Sequence, residues 1–340
     1  LLDEVLAGLR DCPLSAERYA ALKDRLLREL SAFDHVDAYV TLQESRRRVV
    51  REFHYRPDEM LPLARELTLA QVQAFARTLY ARGKIEALSY GNLGAADAVA
   101  AARRVAAVLQ PAPLPAAQLL RRRLLAMPPG QAVRNSETLK VNNSAFRREL
   151  LLGTDTPEMR AATLALAAFV GPLIHTELRT KQQLGYIVFG GAGNEDHTQF
   201  AYFIIQSGDY PADLLETRAD AAIGQLPAQL EALPDADWQT IVAGVRAKLL
   251  EKDKSVGERA GRLFELAYEQ RADWTRREAT LSALNSLTQQ RSAAILAAAL
   301  APKTARTRTF LGFSRDHKPQ TPPAVSFTDA ARWKAQQRYE

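Results

Sequence analysis

Apolar positions recur at helical spacing through 15–33, 36–53 and 68–81, and the spacing predicts a helix in each. A strand is expected at 84–90, where Ile85-Glu86-Ala87-Leu88-Ser89-Tyr90 runs into the turn pair Gly91-Asn92, and a helix returns at 95–109. Further on, strands are expected near 119–127 and 137–152, then one long apolar-rich helix from Thr156-Pro157-Glu158 to about 183. Thr156 supplies the N-cap and Pro157 the first helical position, where its missing N–H costs nothing. Strands at 186–190 and 199–206 follow, then helices at 211–226, 235–252 and 288–300 and a strand at 307–313. Thr68 with Gln71 and Ser255 with Glu258 have the spacing of capping boxes. Gly185 is expected as the left-handed stop of the long helix, and Gly190-Gly191-Ala192-Gly193 as a hairpin turn. Strands interleaved with helical hairpins predict an α+β fold, a mainly antiparallel sheet with helices packed on one face.

The order of elements occurs twice. Leu14 aligns with Leu233, Tyr19 with Trp238, Leu67-Thr68 with Leu287-Thr288, and Gly91 with Gly312, at offsets of 219 to 221. Two similar domains are therefore expected, the first represented by its C-terminal part alone: 1–110, a proline-rich linker at 111–118, and a complete domain at 119–340. The start Leu1-Leu2-Asp3-Glu4 has neither Met nor a signal-peptide pattern, which predicts a chain beginning inside a larger protein.

With 47% apolar and 25% charged residues over 340 positions, the composition is that of a globular protein with a substantial core. The longest membrane-like stretch, 161–174, is expected to be broken at Gly171-Pro172, so no membrane partner is predicted. A single cysteine, Cys12, excludes an internal disulfide and a multi-thiolate metal site. The net charge is +6, but Arg46-Arg47-Arg48 and Arg121-Arg122-Arg123 are short, separate clusters. They read as solvated faces, with a positively lined peptide cavity as the sharper alternative; no nucleic-acid-binding motif is present.

Candidate chemistry concentrates at one junction. In Glu177-Leu178-Arg179-Thr180-Lys181-Gln182-Gln183-Leu184-Gly185-Tyr186-Ile187-Val188-Phe189 a helix passes directly into a strand, and Arg179 and Tyr186 can face one ligand from two sides of the bend. The plainer alternative is that Arg179 serves the helix dipole and Tyr186 fills a sheet face. His175-Thr176-Glu177 has the His-x-Glu start of zinc deaminases without the cysteine pair they need. No Gly-x-Ser-x-Gly elbow exists, and no two of His35, His54, His175, His197 and His317 lie three to five positions apart, so neither a serine nucleophile nor a zinc helix is encoded.

The run from Leu178 to Phe189, with Phe203-Ile204-Ile205-Gln206-Ser207 downstream, resembles the C-terminal half of the inverzincin zinc metallopeptidases of the pitrilysin and insulin-degrading enzyme type. The resemblance implies pitrilysin-like αβ domains: 1–110 as the C-terminal part of a third domain and 119–340 as a fourth. It implies the substrate-binding half of an endopeptidase that encloses and cleaves peptides, inactive alone. Zinc is expected in an N-terminal half and no cofactor in this segment. The implied partners are that half, or a separate pitrilysin-like subunit, and peptide substrates. By the same resemblance Arg179 and Tyr186 are the catalytic contacts, donating to the substrate carbonyl and to the charge that grows on its oxygen. A noncatalytic peptide-binding or scaffold subunit of the same fold is the alternative. The resemblance favours a periplasmic setting and leaves the cytoplasm open.

Overall fold

The computed structural model describes residues 2–319 and 323–340. The first third of the chain carries helices α1 (Leu2–Asp11), α2 (Ala16–Ser31), α3 (Ala38–Val50), α4 (Pro57–Glu66), α5 (Leu69–Leu79) and α6 (Ala95–Leu109), with short strands β1 (Arg82–Gly83) and β2 (Ala112–Pro113). There follow β3 (Ala132–Thr138), β4 (Ser144–Thr154), α7 (Pro157–Ile174), β5 (Ile187–Glu195), β6 (Thr198–Ser207) and α8 (Ala212–Glu231). The remainder is α9 (Asp235–Leu250), α10 (Val256–Phe264), α11 (Arg276–Ser286), α12 (Gln289–Leu300), β7 (Thr307–Phe313) and α13 (Ala330–Lys334). These elements form two compact units. One contains the chain through Phe33, Tyr55–Arg121 and Asp253–Ala272; the other contains Asp34–His54, Arg122–Lys252 and Asp273–Glu340.

The first unit is almost wholly helical. Ser15 caps α2 by accepting from the Arg18 amide, and α2 lies along α4, where Lys23 Nζ donates to the carbonyls of Arg65 and Leu67 at 2.6 and 2.7 Å. Thr68 and Gln71 form the capping box of α5. The strand expected at 84–90 is absent: its ladder with β2 ends at Gly83, because the partner chain turns away into the 3-10 turn Ala116–Gln118. A strand exists only where another chain satisfies its backbone groups, and residues 84–90 are exposed.

The second unit is built on a five-stranded sheet in the order β3-β7-β4-β6-β5, parallel at β3–β7 and antiparallel elsewhere. Side chains of a strand alternate between faces, and β4 shows the consequence: Phe146 and Leu150 enter one core, Ala145 and Leu151 the other. The larger core packs α7, α8 and α12 against Phe146, Val188, Phe203, Ile205 and Leu311. That helical layer is the one expected. On the opposite face α3 lays Ala38, Leu42 and Val49 over Ala145, Leu151 and Phe310, an additional cover drawn from early in the chain.

Several local expectations are corrected. The stretch 137–152 is two strands, because the chain bends through 140–142 before Asn143. The strand at 119–127 is reduced to isolated bridges of Leu124 with Arg51 and Leu125 with Tyr339. Gly190 to Gly193 lie inside β5, and the hairpin turns instead at Asp196, whose φ is 50°. Glycine is needed there for close approach, since a Cβ on Gly190 would stand 2.7 Å from Ile174 Cβ on α7. Gly171-Pro172 do not break α7. With its continuation it forms a helix over Pro157–Lys181 that is long and apolar enough, by length and composition, to cross a membrane, half of its most apolar window being buried inside the protein.

Candidate functional site

Thr156 caps α7 by accepting from the Met159 amide at 3.2 Å, and Ala161, Ala165, Leu166, Phe169 and Ile174 fasten the helix to the core. The helix does not end at Ile174. It widens into a π-helical segment, His175–Lys181, which closes with the Gln182 amide on the Glu177 carbonyl at 3.1 Å. Such wide turns are uncommon and often accompany functional sites. The left-handed residue that stops the helix is Gln183, φ 52°, rather than Gly185. Gly185 is required for a different reason: a Cβ there would fall 2.0 Å from the Gln206 carbonyl oxygen, where the chain enters the sheet beside β6. Gly185→Ala is expected to destabilise the unit by about 1–3 kcal/mol, read by denaturant unfolding, since rigid backbone rather than a side-chain tip must yield. A wild-type midpoint in that variant would show that the approach is looser than drawn.

The reversal at 182–186 brings Tyr186, just ahead of β5, back to the helix end. Leu178 and Leu184 are buried on the inner side. On the outer side the Arg179 guanidinium carbon sits 4.6 Å from the Tyr186 ring centroid, and Arg179 Nη1 lies 3.0 Å from His175 Nε2. Tyr186 is 79% exposed, too open to be filling the sheet face. Glu177, the nearest acid in sequence, is already engaged by Lys181 Nζ at 3.0 Å and Gln182 Nε2 at 3.1 Å. The Gln182 hydrogen bond and then that from Lys181 hold its carboxyl below the usual range. Among the described residues Arg179 has no carboxylate partner. The junction thus presents an uncompensated cation and a phenol side by side, both able to donate to a carbonyl oxygen. Behind it, a cavity of about 340 Å³ separates the π segment from α8, lined by Leu173, Ile174, Ala222 and Leu226 with Lys181 and Gln182 at its polar side.

The two basic clusters, both expected as solvated faces, sort differently from each other. Arg121, Arg122 and Arg123 are exposed. Arg46 is not solvated: it is 3% exposed, its Nε 2.7 Å from Glu149, its Nη1 on Glu195, and its guanidinium over the Phe200 ring. Arg147 and Arg308 also reach Glu149, at 2.7 and 3.3 Å, and Arg51 reaches Glu195 at 2.6 Å. Burial alone would raise the Glu149 carboxyl, but the three guanidiniums outweigh it and bring it down to about 2. Burial pushes Arg308 below its ordinary value. This network pins α3 to the sheet. Its signal in the sequence was charge on the inward parity of β4, at positions 147 and 149 between Ala145 and Leu151.

No group of three His, Cys, Asp or Glu side chains among the described residues could hold a metal. Four histidines have other partners: His54 with Glu44, His175 with Arg179, His197 with Asp196 and His317 with Ser144.

The fold is similar to that of pitrilysin-type peptidases over their C-terminal lobe. Residues 165–264 match the family model described as PQQ synthase PqqF-like, C-terminal lobe domain 4. Over 298 residues, 85% of the chain, the sequence is 26% identical to the insulin-degrading enzyme of Homo sapiens. The fold matches the crystal structure of pitrilysin with a TM-score of 0.81 at 19% identity, covering 96% of this chain and 35% of that one. It also matches a peptidase M16 inactive domain from Pseudomonas fluorescens, TM-score 0.65 at 18% identity, over 94% of this chain and 75% of that one. In sequence the chain is similar to the C-terminal half of insulin-degrading enzyme, and in fold to that of pitrilysin. It spans 29% of the length of the human relative.

Proposed function

We propose that this chain is the substrate-binding C-terminal part of a pitrilysin-type zinc metalloendopeptidase, with residues 1–110 the end of a third domain and 119–340 a fourth. Arg179 and Tyr186 hold the substrate carbonyl and stabilise the negative charge its oxygen gains during hydrolysis. The observation that carries this reading is the half-buried Arg179 guanidinium stacked on an exposed phenol, without a carboxylate among the described residues to neutralise it. Zinc would be held by a His-x-x-Glu-His helix in an N-terminal half, where it would supply Lewis-acid polarisation of the carbonyl. Within this chain the work is binding and orientation of the peptide.

Mixing the chain with a separately produced N-terminal half that carries the zinc motif tests the reading. Peptide cleavage is expected in the mixture and not with this chain alone. Cleavage by the isolated chain, or none in a mixture shown to associate, would refute it. The likeness to a peptidase inactive domain supports a second reading, a noncatalytic peptide-binding subunit of the same fold. The upstream reading frame separates the two: a zinc motif in frame favours the enzyme, a start codon near residue 1 the subunit.

A further inference from the structure

We infer that His175 is the positioning residue of Arg179: its unprotonated Nε2 accepts from Arg179 Nη1 and fixes the guanidinium over Tyr186, so that the remaining N–H donors face the substrate. The inference rests on the reading of Arg179 as a substrate contact, and nothing in the sequence pattern assigned His175 this role.

The geometry carries it. A guanidinium is all donor, so at 3.0 Å the imidazole nitrogen must be the acceptor, and the ring's proton must sit on Nδ1. An imidazolium has no lone pair to offer and would repel the arginine. The π segment sets the two side chains one wide turn apart, while Leu178 anchors its inner face. Tyr186 restrains the guanidinium through its ring face, a contact that leaves rotation in the plane of the ring free. The hydrogen bond to His175 removes that rotation.

Charged neighbours do not substitute for it. On the same segment Glu177 is held by Lys181 and Gln182, and on α8 Arg218 approaches Gln182 at 3.4 Å. The strand β5 contributes no carboxylate before Glu195, which belongs to the Arg46 and Arg51 network. Arg179 therefore depends on a neutral acceptor. A carboxylate in its place would hold the arginine more tightly but cancel the charge needed at a developing oxyanion.

The test uses the chain paired with its zinc-bearing half. His175→Leu, which removes the acceptor, is expected to lower kcat about tenfold with KM nearly unchanged, and His175→Gln, which retains an oxygen acceptor, to restore most of the loss. In an Arg179→Ala background His175→Leu is expected to add nothing. An equal further loss there, or no rescue by glutamine, would overturn the assignment. Imidazole ¹⁵N spectra decide the contact independently of activity: the Nδ1–H tautomer of His175 should dominate in the wild type and give way to a tautomer mixture in Arg179→Ala. If the spectra show that change while Arg179→Ala leaves cleavage intact, the contact stands and the substrate role of Arg179 fails. If His175 shows the same mixture in both, the positioning contact is wrong.

Discussion

Glu149→Gln is expected to destabilise the sheet-bearing unit by roughly 3–5 kcal/mol, the usual consequence of removing one partner from a buried charge network. Glu149 is fully buried and receives Arg46, Arg147 and Arg308. Glutamine keeps the shape and one acceptor but leaves three guanidiniums among apolar residues with Glu195 alone to compensate. Denaturant unfolding of that unit measures the loss, and a change under about 1 kcal/mol would show that the network is solvated and weak. The pH dependence follows from the same residue. Its carboxyl titrates near 4.5 unpaired and about 2 in the fold, so its ionised form stabilises the native state above pH 4.5. That contribution, roughly 3 kcal/mol, fades as pH falls from 4.5 toward 2. Glu195 is depressed for the same reasons, burial being outweighed by Arg46 and Arg51, and acts in the same direction. The Glu149→Gln variant should therefore lose stability less steeply in acid than the wild type.

Local rules made much of this fold legible. Helix α6 and strand β7 occur at the residues expected, because Gly94 and Gln110 bound one and a β-branched and aromatic run defines the other. The caps at Thr68, Thr156 and Ser255 all form. What failed depended on partners distant in sequence. Residues 84–90 have strand composition and no strand beside them beyond Gly83. The glycines of 190–193 look like a turn until α7 is seen pressing on Gly190 and Tyr202 on Gly191. Arg46 stands beside Arg47 and Arg48 on an early helix, and nothing nearby announces Glu149, which follows 103 positions later. At the junction, the motif named Arg179 and Tyr186, and the structure brings them into contact. The π widening left no signal in the sequence, whereas His175, four positions before Arg179, already stood one helical turn away from it.

Arg179→Met and Tyr186→Phe are the substitutions expected to affect cleavage most in the reconstituted enzyme. Methionine keeps the stem that lies along Tyr186 and removes every donor, so kcat should fall about 10²–10³-fold, the loss typical of one preorganised oxyanion donor. Phenylalanine keeps the ring beneath the guanidinium and removes only the hydroxyl, isolating donation from stacking. If Tyr186 merely supports Arg179, Tyr186→Phe will match wild type; a loss of tenfold or more assigns the hydroxyl to the substrate. Because Arg179 carries no ion pair among the described residues and Tyr186 is largely exposed, neither change should shift unfolding stability by more than about 0.5 kcal/mol. That combination matters more than either number. A rate lost together with stability would describe damage to the helix end, whereas a rate lost at constant stability requires the guanidinium and the phenol to interact more strongly with the transition state than with the bound peptide.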